Sequence, residues 1–572
     1  GPGWCEGRLP ARVSSKKGPG LTLPVIPFPA CNKEKMLRYL LVFLLSVFVG
    51  CDQQEAIVPA EGEAAKPAYG DTFIEASIGE PNNLLPVLSS DSASSDINRL
   101  VYNGLIRYDK DLQLEGELAE SWDISEDNLT FTFRLREGVT WHDGTPFTSA
   151  DVLFTYRMYI NPDVPTSYAE DFLQVASAEA PDPYTFRVTY EKPYAPALES
   201  WGTPIHPKHL LEGADITKSP LSRSPIGTGP YKFVKWVAGE KIELLANPDY
   251  YEGQPFIHRV VYRVIPDTST QFLELQAGGL DLMSLTPIQY KTQTDTPAFS
   301  RNFNKYRYLS FTYTYLGYNL IKPLFQDLRV RQAISYAIDK QEIIDGVLLG
   351  LGHVATGPYK PDTWVYNANV KRYAYNPELA RDLLKEAGWI DSNGDGVLDK
   401  NGEPLAFTIV TNQGNDLRSK TAEIIQRRLK EVGIKIEIRI VEWATFLKEF
   451  FFPGYFDATI VGWSGGPEPD QFNIWHSSKT APRELNFVKY NNPEVDELLD
   501  QGRRIFDRAE RKKIYDRFQE ILAEEQPYTF LYVGEALPAV ARRFRGIEPA
   551  PAGITYNFIK WYVPKSEQKY AR

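Results

Sequence analysis

The chain has 572 residues and a net charge of −11, with 43% hydrophobic, 13% aromatic and 24% charged residues. Those proportions belong to a globular protein with room for about three or four ordinary domain masses. The acidic balance and the lack of any Lys/Arg run leave no electrostatic footprint for nucleic acid. All three cysteines, Cys5, Cys31 and Cys51, stand near the start. The remainder therefore carries no disulfide, thiolate nucleophile or cysteine metal site.

Residues 1–35 are rich in Gly, Pro and Lys without periodicity and contain no methionine, and read as a mis-called upstream extension. Met36, with Lys33, Lys35 and Arg38 around it, precedes an uncharged apolar run from Tyr39 to Gly50. That run has the length of a signal h-region and is too short to span a bilayer. With Cys51 directly after Gly50 it looks like a lipoprotein signal over 36–50, cleaved before a Cys51 that then carries lipid. The Ala/Glu/Pro-rich stretch that follows, to about residue 70, reads as a flexible tether.

From Thr72 a strand carrying Phe73, Ile74, Ala76 and Ile78 runs into the turn Gly79-Glu80-Pro81-Asn82-Asn83. Ser95 or Asp96 then starts a helix with Ile97, Leu100 and Val101 on one side. Leu129, Phe131, Phe133 and Leu135 alternate with polar residues, the period of a strand with one buried face. Turn pairs Glu137-Gly138 and Asp143-Gly144 follow, and Thr148 or Ser149 caps a helix bearing Val152, Leu153 and Tyr156.

Further on, Thr268 to Ala277 is helical up to Gly278, before a short strand at Leu280-Asp281-Leu282. Tyr306 to Asn319 is aromatic and β-branched, a strand by composition. Val330, Ala333, Ile334, Ala337 and Ile338 form a helical stripe, and Asn376-Pro377 caps a helix ending at Gly388. A helix from Ser419 to Glu431, Gly433, and the alternating Ile434, Ile436, Ile438 and Ile440 make half of a parallel α/β unit. A helix from Trp443 to Phe450 and a strand from Phe456 to Val461 complete it. Helices over 493–506 and 508–524 and a strand-like tail to Trp561 close the chain.

Several motifs imitate chemistry. Gly462-Trp463-Ser464-Gly465-Gly466 fits a serine nucleophile elbow, but Pro467 and Pro469 stand where the elbow needs a helix, and only His476 follows. His206 and His209 are separated by Pro207, which breaks the helical face that i, i+3 ligands need. Gly350-Leu351-Gly352-His353-Val354-Ala355 follows a helix, where a dinucleotide fingerprint needs a strand. Asp391 to Asp399 spaces oxygens like a calcium loop, yet Gly402 holds the twelfth position and a polar hairpin explains the stretch equally well. The remaining reading of GWSGG is a binding loop at the carboxyl end of a strand, with glycines exposing backbone donors and Trp463 as a wall.

The segment from Gly116 to Tyr156, with AESW, LREGVTWHDGTPF and ADV in that order, resembles the signature of the family 5 extracellular solute-binding proteins. EPNNLLP, IGTGPY, RVRQAISYAIDKQEII and GWSGGPEPDQF resemble further landmarks of that family in its order, so that the resemblance covers nearly all of 70–564. It implies an α/β, two-lobed periplasmic-binding-protein fold of type II, with an extra subdomain in lobe one and a hinge between the lobes. On that pattern lobe one spans 71–310 with a subdomain at about 110–224, lobe two 311–532, and the chain returns to lobe one over 533–565.

The implied function is binding of peptides outside the cytoplasm and delivery to the permease of an ABC importer. It involves no catalysis, cofactor, metal or nucleic acid, and contact with the membrane only through the lipid, as a monomer. Another solute on the same fold (a metal chelate, an oligosaccharide or an opine) is the alternative, and a hydrolase using Ser464 the rival from another class. By resemblance Glu80 lies at the cleft edge of lobe one, Arg418 and Trp443 near the ligand in lobe two, and Gly462, Trp463, Ser464 and Gly465 in the binding loop. Gly466 stands where relatives often carry an Asp for the ligand's ammonium group, which implies that no free amino terminus is anchored there.

Overall fold

The computed structural model describes residues 66–570, so the expected signal, Cys51 and most of the tether lie outside the described residues. A seven-stranded mixed sheet begins with Gly70–Ser77, whose Phe73 faces a core with Val260, Leu275, Phe544 and Trp561. Gly70–Ser77 pairs in parallel with Ile257–Val264, and Tyr231–Val237 and Lys241–Ala246 extend the sheet on that side. Leu282–Ser284, Pro538–Ala541 and Phe303–Lys305 extend it on the other. Beside Leu282–Ser284, the Arg543 guanidinium bridges two buried carboxylates, Asp71 and Asp281, and ties the chain's far end to the first strand.

A four-stranded antiparallel sheet is inserted between strands of the first. Its order is Ala119–Ile124, Thr130–Leu135, Thr185–Tyr190, Val175–Asp182. The alternation in Thr130–Leu135 does its work here: Phe131, Phe133 and Leu135 are buried against Trp201, Phe186 and Val152. The helix Ser149–Tyr159 starts after Thr148, whose N–H is accepted by the Asp151 carboxylate at 2.9 Å.

The third layer is a six-stranded sheet in the order Gly352–Val354, Tyr528–Ala536, Tyr308–Tyr318, Ala458–Ser464, Ala406–Asn412, Lys435–Val441. Ala406–Asn412 is parallel to both of its neighbours, which makes the expected βαβ unit. The chain crosses between the seven- and six-stranded sheets twice, at 305–308 and at 536–538. The two crossings run side by side, with Tyr306 N–H donating to Pro538 O at 2.9 Å and the Arg307 guanidinium clasping Glu535. Two adjacent extended links are the arrangement of a hinge between lobes, although Leu537 in one of them is buried in the core of lobe one.

Local expectations are revised in four places. The first helix begins at Ser92, because Asp91 rather than Ser95 or Asp96 accepts the orphan N–H of Ser94, at 3.0 Å. The helix expected from Ser419 begins at Asp416, capped by Asn415, and so carries Arg418 in its first turn. Over Trp443 to Phe450 the chain makes a short helix at Trp443–Thr445 and then a π-turn at Phe446–Phe451. The short strand placed at Leu280 to Leu282 runs from Leu282 to Ser284, since Asp281 is drawn into the ion pair with Arg543.

Candidate functional site

Besides a bond from Lys291 Nζ to Leu349 O at 2.6 Å, two groups of contacts join the lobes. The inner group lies where the strand Gly70–Ser77 ends. A Cβ at Gly79 would stand 2.7 Å from the Trp443 Cβ, so glycine permits the two backbones to meet. Gly414, at φ +84°, presses on Pro266 in the same way, and Thr268 Oγ1 donates to the Asp416 carboxylate at 2.8 Å.

The outer group joins the inserted subdomain to lobe two. Arg503, 3% exposed, reaches Asp470 at 2.7 Å and Asp171 at 3.4 Å, and Asn473 Nδ2 donates to Asp171 at 3.1 Å. Lys479 pairs with Glu170 at 3.0 Å. Burial pushes the Asp171 carboxyl up to about 6, with Arg503 pulling it back. Burial also opposes the charge of Arg503, but Asp470, Tyr194 and Asp171 hold its pKa above the ordinary arginine value. A cavity of about 330 Å³ opens beside this seam between Tyr108 and Glu199 on one side and Trp364, Glu468 and Arg511 on the other.

Arg418 lies in the same helix turn as Asp416. Its Nη1 donates to Asn412 Oδ1 at 2.7 Å, and among the described residues it has no carboxylate within ion-pair distance. Burial lowers its pKa, with the Tyr532 and Tyr315 hydroxyls acting against that. A Cβ at Gly462 would lie 3.3 Å from Arg418 Nη2, so the absence of a side chain there leaves the guanidinium room. Trp443 is stacked on Phe446 and close enough to Asp91 for its indole to help offset the rise that burial imposes on that carboxyl.

The other expected residues divide. The Glu80 carboxylate accepts from Trp236 Nε1 at 2.5 Å and from Gly239 N–H at 3.0 Å, so its charge is spent within lobe one. Gly462, Trp463 and Ser464 belong to the strand Ala458–Ser464, opposite Thr314, Tyr313 and Thr312, where a free loop was expected. Cross-strand pairing continues to Ser464 because its partner strand extends that far. Trp463 is half-buried against Phe451 and Phe487, and its Nε1 donates to Tyr528 at 3.3 Å, so it anchors the core of lobe two. Gly465 and Gly466 are exposed beyond it.

Ser464 lacks the strand–turn–helix setting of an elbow, and His476 is engaged with Ser478 at 2.7 Å. His206 is buried, its pKa pulled down to about 3 by burial, while His209 pairs with Asp143. In the stretch from Asp391 to Asp399 the side-chain oxygens of Asp391, Asn393, Asp395 and Asp399 accept backbone N–H groups, the pattern of an Asx-rich hairpin. Asp171 and Glu468 carry no sequence signal that singles them out, since their arginine partners, Arg503 and Arg511, are remote in the chain.

The bacterial extracellular solute-binding proteins, family 5, match residues 113–483. Oligopeptide-binding protein AppA of Bacillus subtilis is 36% identical over 544 residues, 93% of this chain and 98% of AppA. Its structure in complex with a nonapeptide superimposes with a TM-score of 0.83, over 87% of this chain and all of that one. Heme-binding protein A of Haemophilus influenzae is 30% identical over 89% of this chain and 95% of its own length. NikZ from Campylobacter jejuni, solved with Ni(L-His), is 32% identical, with a TM-score of 0.79 over 86% of this chain and 99% of NikZ.

Proposed function

The chain belongs to the family 5 extracellular solute-binding proteins, with their two-lobed type II fold, and from that membership we propose that it binds peptides outside the cytoplasm and delivers them to the permease of an ABC importer. The observation that carries this reading is a half-buried guanidinium, Arg418, with no carboxylate partner among the described residues, two residues from Asp416, where the lobes meet through Thr268. A ligand carboxylate satisfies that guanidinium as a bidentate partner. With the Gly465 N–H held by Phe311 O, the Gly465 carbonyl and the Gly466 backbone pair with an extended main chain, which gives affinity with little regard to side chains. Trp443, Trp463, Gly462 and Ser464 form the lobe-two wall, and Glu80 fixes the turn that forms the opposite edge. Water in the side pockets accommodates varied residues.

The lobes meet at the crossings 305–308 and 536–538, and we place their limits there, a few residues from the boundaries read in the sequence. The protein acts as a monomer held by lipid on Cys51 and carries out no catalysis. Replacing Cys51 by Ser is expected to release it from the membrane fraction, and unchanged association would refute the anchor. Mass spectrometry of ligand carried by the protein purified from cells, followed by calorimetry with the peptides found, tests the function. The relative solved with a nickel–histidine complex favours one second reading, a metal chelate, whose carboxylate would also suit Arg418. Saturable binding of nickel–histidine with no response to peptides of three to nine residues would decide for it.

A further inference from the structure

Lobe two contains a second cavity of about 340 Å³, lined by residues of 339–341, 354–356 and 371–375 together with Gln526 and Phe530. None of the residues assigned to the ligand cleft borders it. Lys340 is 8% exposed, and among the described residues its ammonium makes no ion pair and no hydrogen bond. It lies 5.9 Å from the centre of the Tyr373 ring. A buried ammonium with neither a counter-charge nor an acceptor is strongly disfavoured, and lysines that far inside are ordinarily paired.

The polar groups around it are already engaged. Asp339 accepts the Glu342 N–H at 3.0 Å and faces Arg428 at 4.0 Å. Gln526 accepts from Ser335 and donates to Ala523 O, and Tyr373 donates to Glu524 O. Lys371 and Arg372 add two further positive charges at the rim; Lys371 is balanced by Glu524, and Arg372 only by the Ala368 carbonyl. Lys340 is the unmatched group of the lining.

We propose that this cavity is a binding site for a small oxyanion, a phosphate or a carboxylate, held by Lys340 from within and by Lys371 and Arg372 at the mouth. Burial pulls the Lys340 pKa down to about 8, the direction expected of an ammonium with no counter-charge beside it. The charge excess of the lining selects an anion, and its volume admits one the size of phosphate or a short carboxylic acid with its first waters. The site does not depend on the identity of the transported solute.

Thermal unfolding of the full protein, followed in sodium phosphate and separately in sodium acetate at constant ionic strength set with sodium chloride, provides the test. A saturable rise in melting temperature is expected with one of the two, and which one identifies the source of the oxyanion. Lys340→Met should abolish that response. If K340M does not fold, the surface double variant Lys371→Ala/Arg372→Ala keeps the matter open to refutation, with at least a tenfold loss of anion affinity expected. No saturable response to either anion in the unaltered protein, or an undiminished response in the variant measured, overturns the site.

Discussion

The seam at Arg503 joins the lobes around a buried arginine, whereas Arg418 is a half-buried arginine two residues from the inner contact at Asp416. At the seam the guanidinium is surrounded by Asp470, Asp171 and Glu170, and by the neighbouring pair Lys479–Glu170. At the cleft the guanidinium meets one amide, Asn412. The desolvation cost is similar in kind at both, but only the seam offsets it with the protein's own carboxylates. A charge network matched by carboxylates from both lobes holds two surfaces together whatever else is bound. An arginine with a single amide partner is available to a carboxylate from outside.

The largest effect is expected from Arg503→Met, which strands Asp171 and Asp470 in a buried seam. Breaking a buried pair by removing one partner costs about 3–5 kcal/mol, so the melting temperature should fall by several degrees and ligand affinity with it. A variant as stable as the parent would mean that the seam is no tighter than the cleft. Arg418→Met should leave the melting temperature nearly unchanged. It should weaken a peptide with a free carboxylate by about 1.5–3 kcal/mol, roughly ten- to a hundredfold, while a C-amidated peptide loses little. Equal losses for both peptides would remove Arg418 from the ligand's carboxylate.

Asp171 supplies a pH readout of the seam. Its folded pKa of about 6 lies above the ordinary 3.8, so the stability it contributes is fully present below about pH 3.8 and is lost as pH rises through about 6. Asp171→Asn should flatten that part of the melting-temperature profile between pH 4 and 7, whereas a profile unchanged in that window would exclude it as the titrating group. The smallest effect concerns the ligand's other end. Gly466 offers no carboxylate, and the two acids next in the chain, Glu468 and Asp470, are bound to Arg511 and Arg503. N-acetylation of a bound peptide should therefore cost less than tenfold by calorimetry. A loss near a hundredfold, about 2.7 kcal/mol, would place another carboxylate at the amino terminus.

Elements were legible wherever one local rule governed them. Thr130–Leu135 follows from alternation, and the helix Pro377–Glu386 from Asn376 and Pro377. The misplacements share a cause: the true cap was one of two or more eligible residues, as with Asp91 before Ser92, and only packing chose between them. Gly462 to Ser464 reads as a loop because glycine and serine are turn formers, yet pairing with Tyr308–Tyr318 keeps those residues in the sheet. Glu80 was placed at the cleft by its neighbours in sequence, and its carboxylate turned inward to Trp236, 156 residues away.

By itself the sequence determined the elements, their order and the family, because periodicity, caps and signature residues act over a few positions. Tertiary structure decided which charges are matched. Arg503 and Asp171 are 332 residues apart, Arg418 and Asn412 six, and nothing in either arginine's local sequence distinguishes the bound from the unbound one. Burial and ion pairing depend on what the fold brings within a few ångströms, and in this protein that difference separates an arginine matched by carboxylates across the seam from one whose guanidinium meets a single amide.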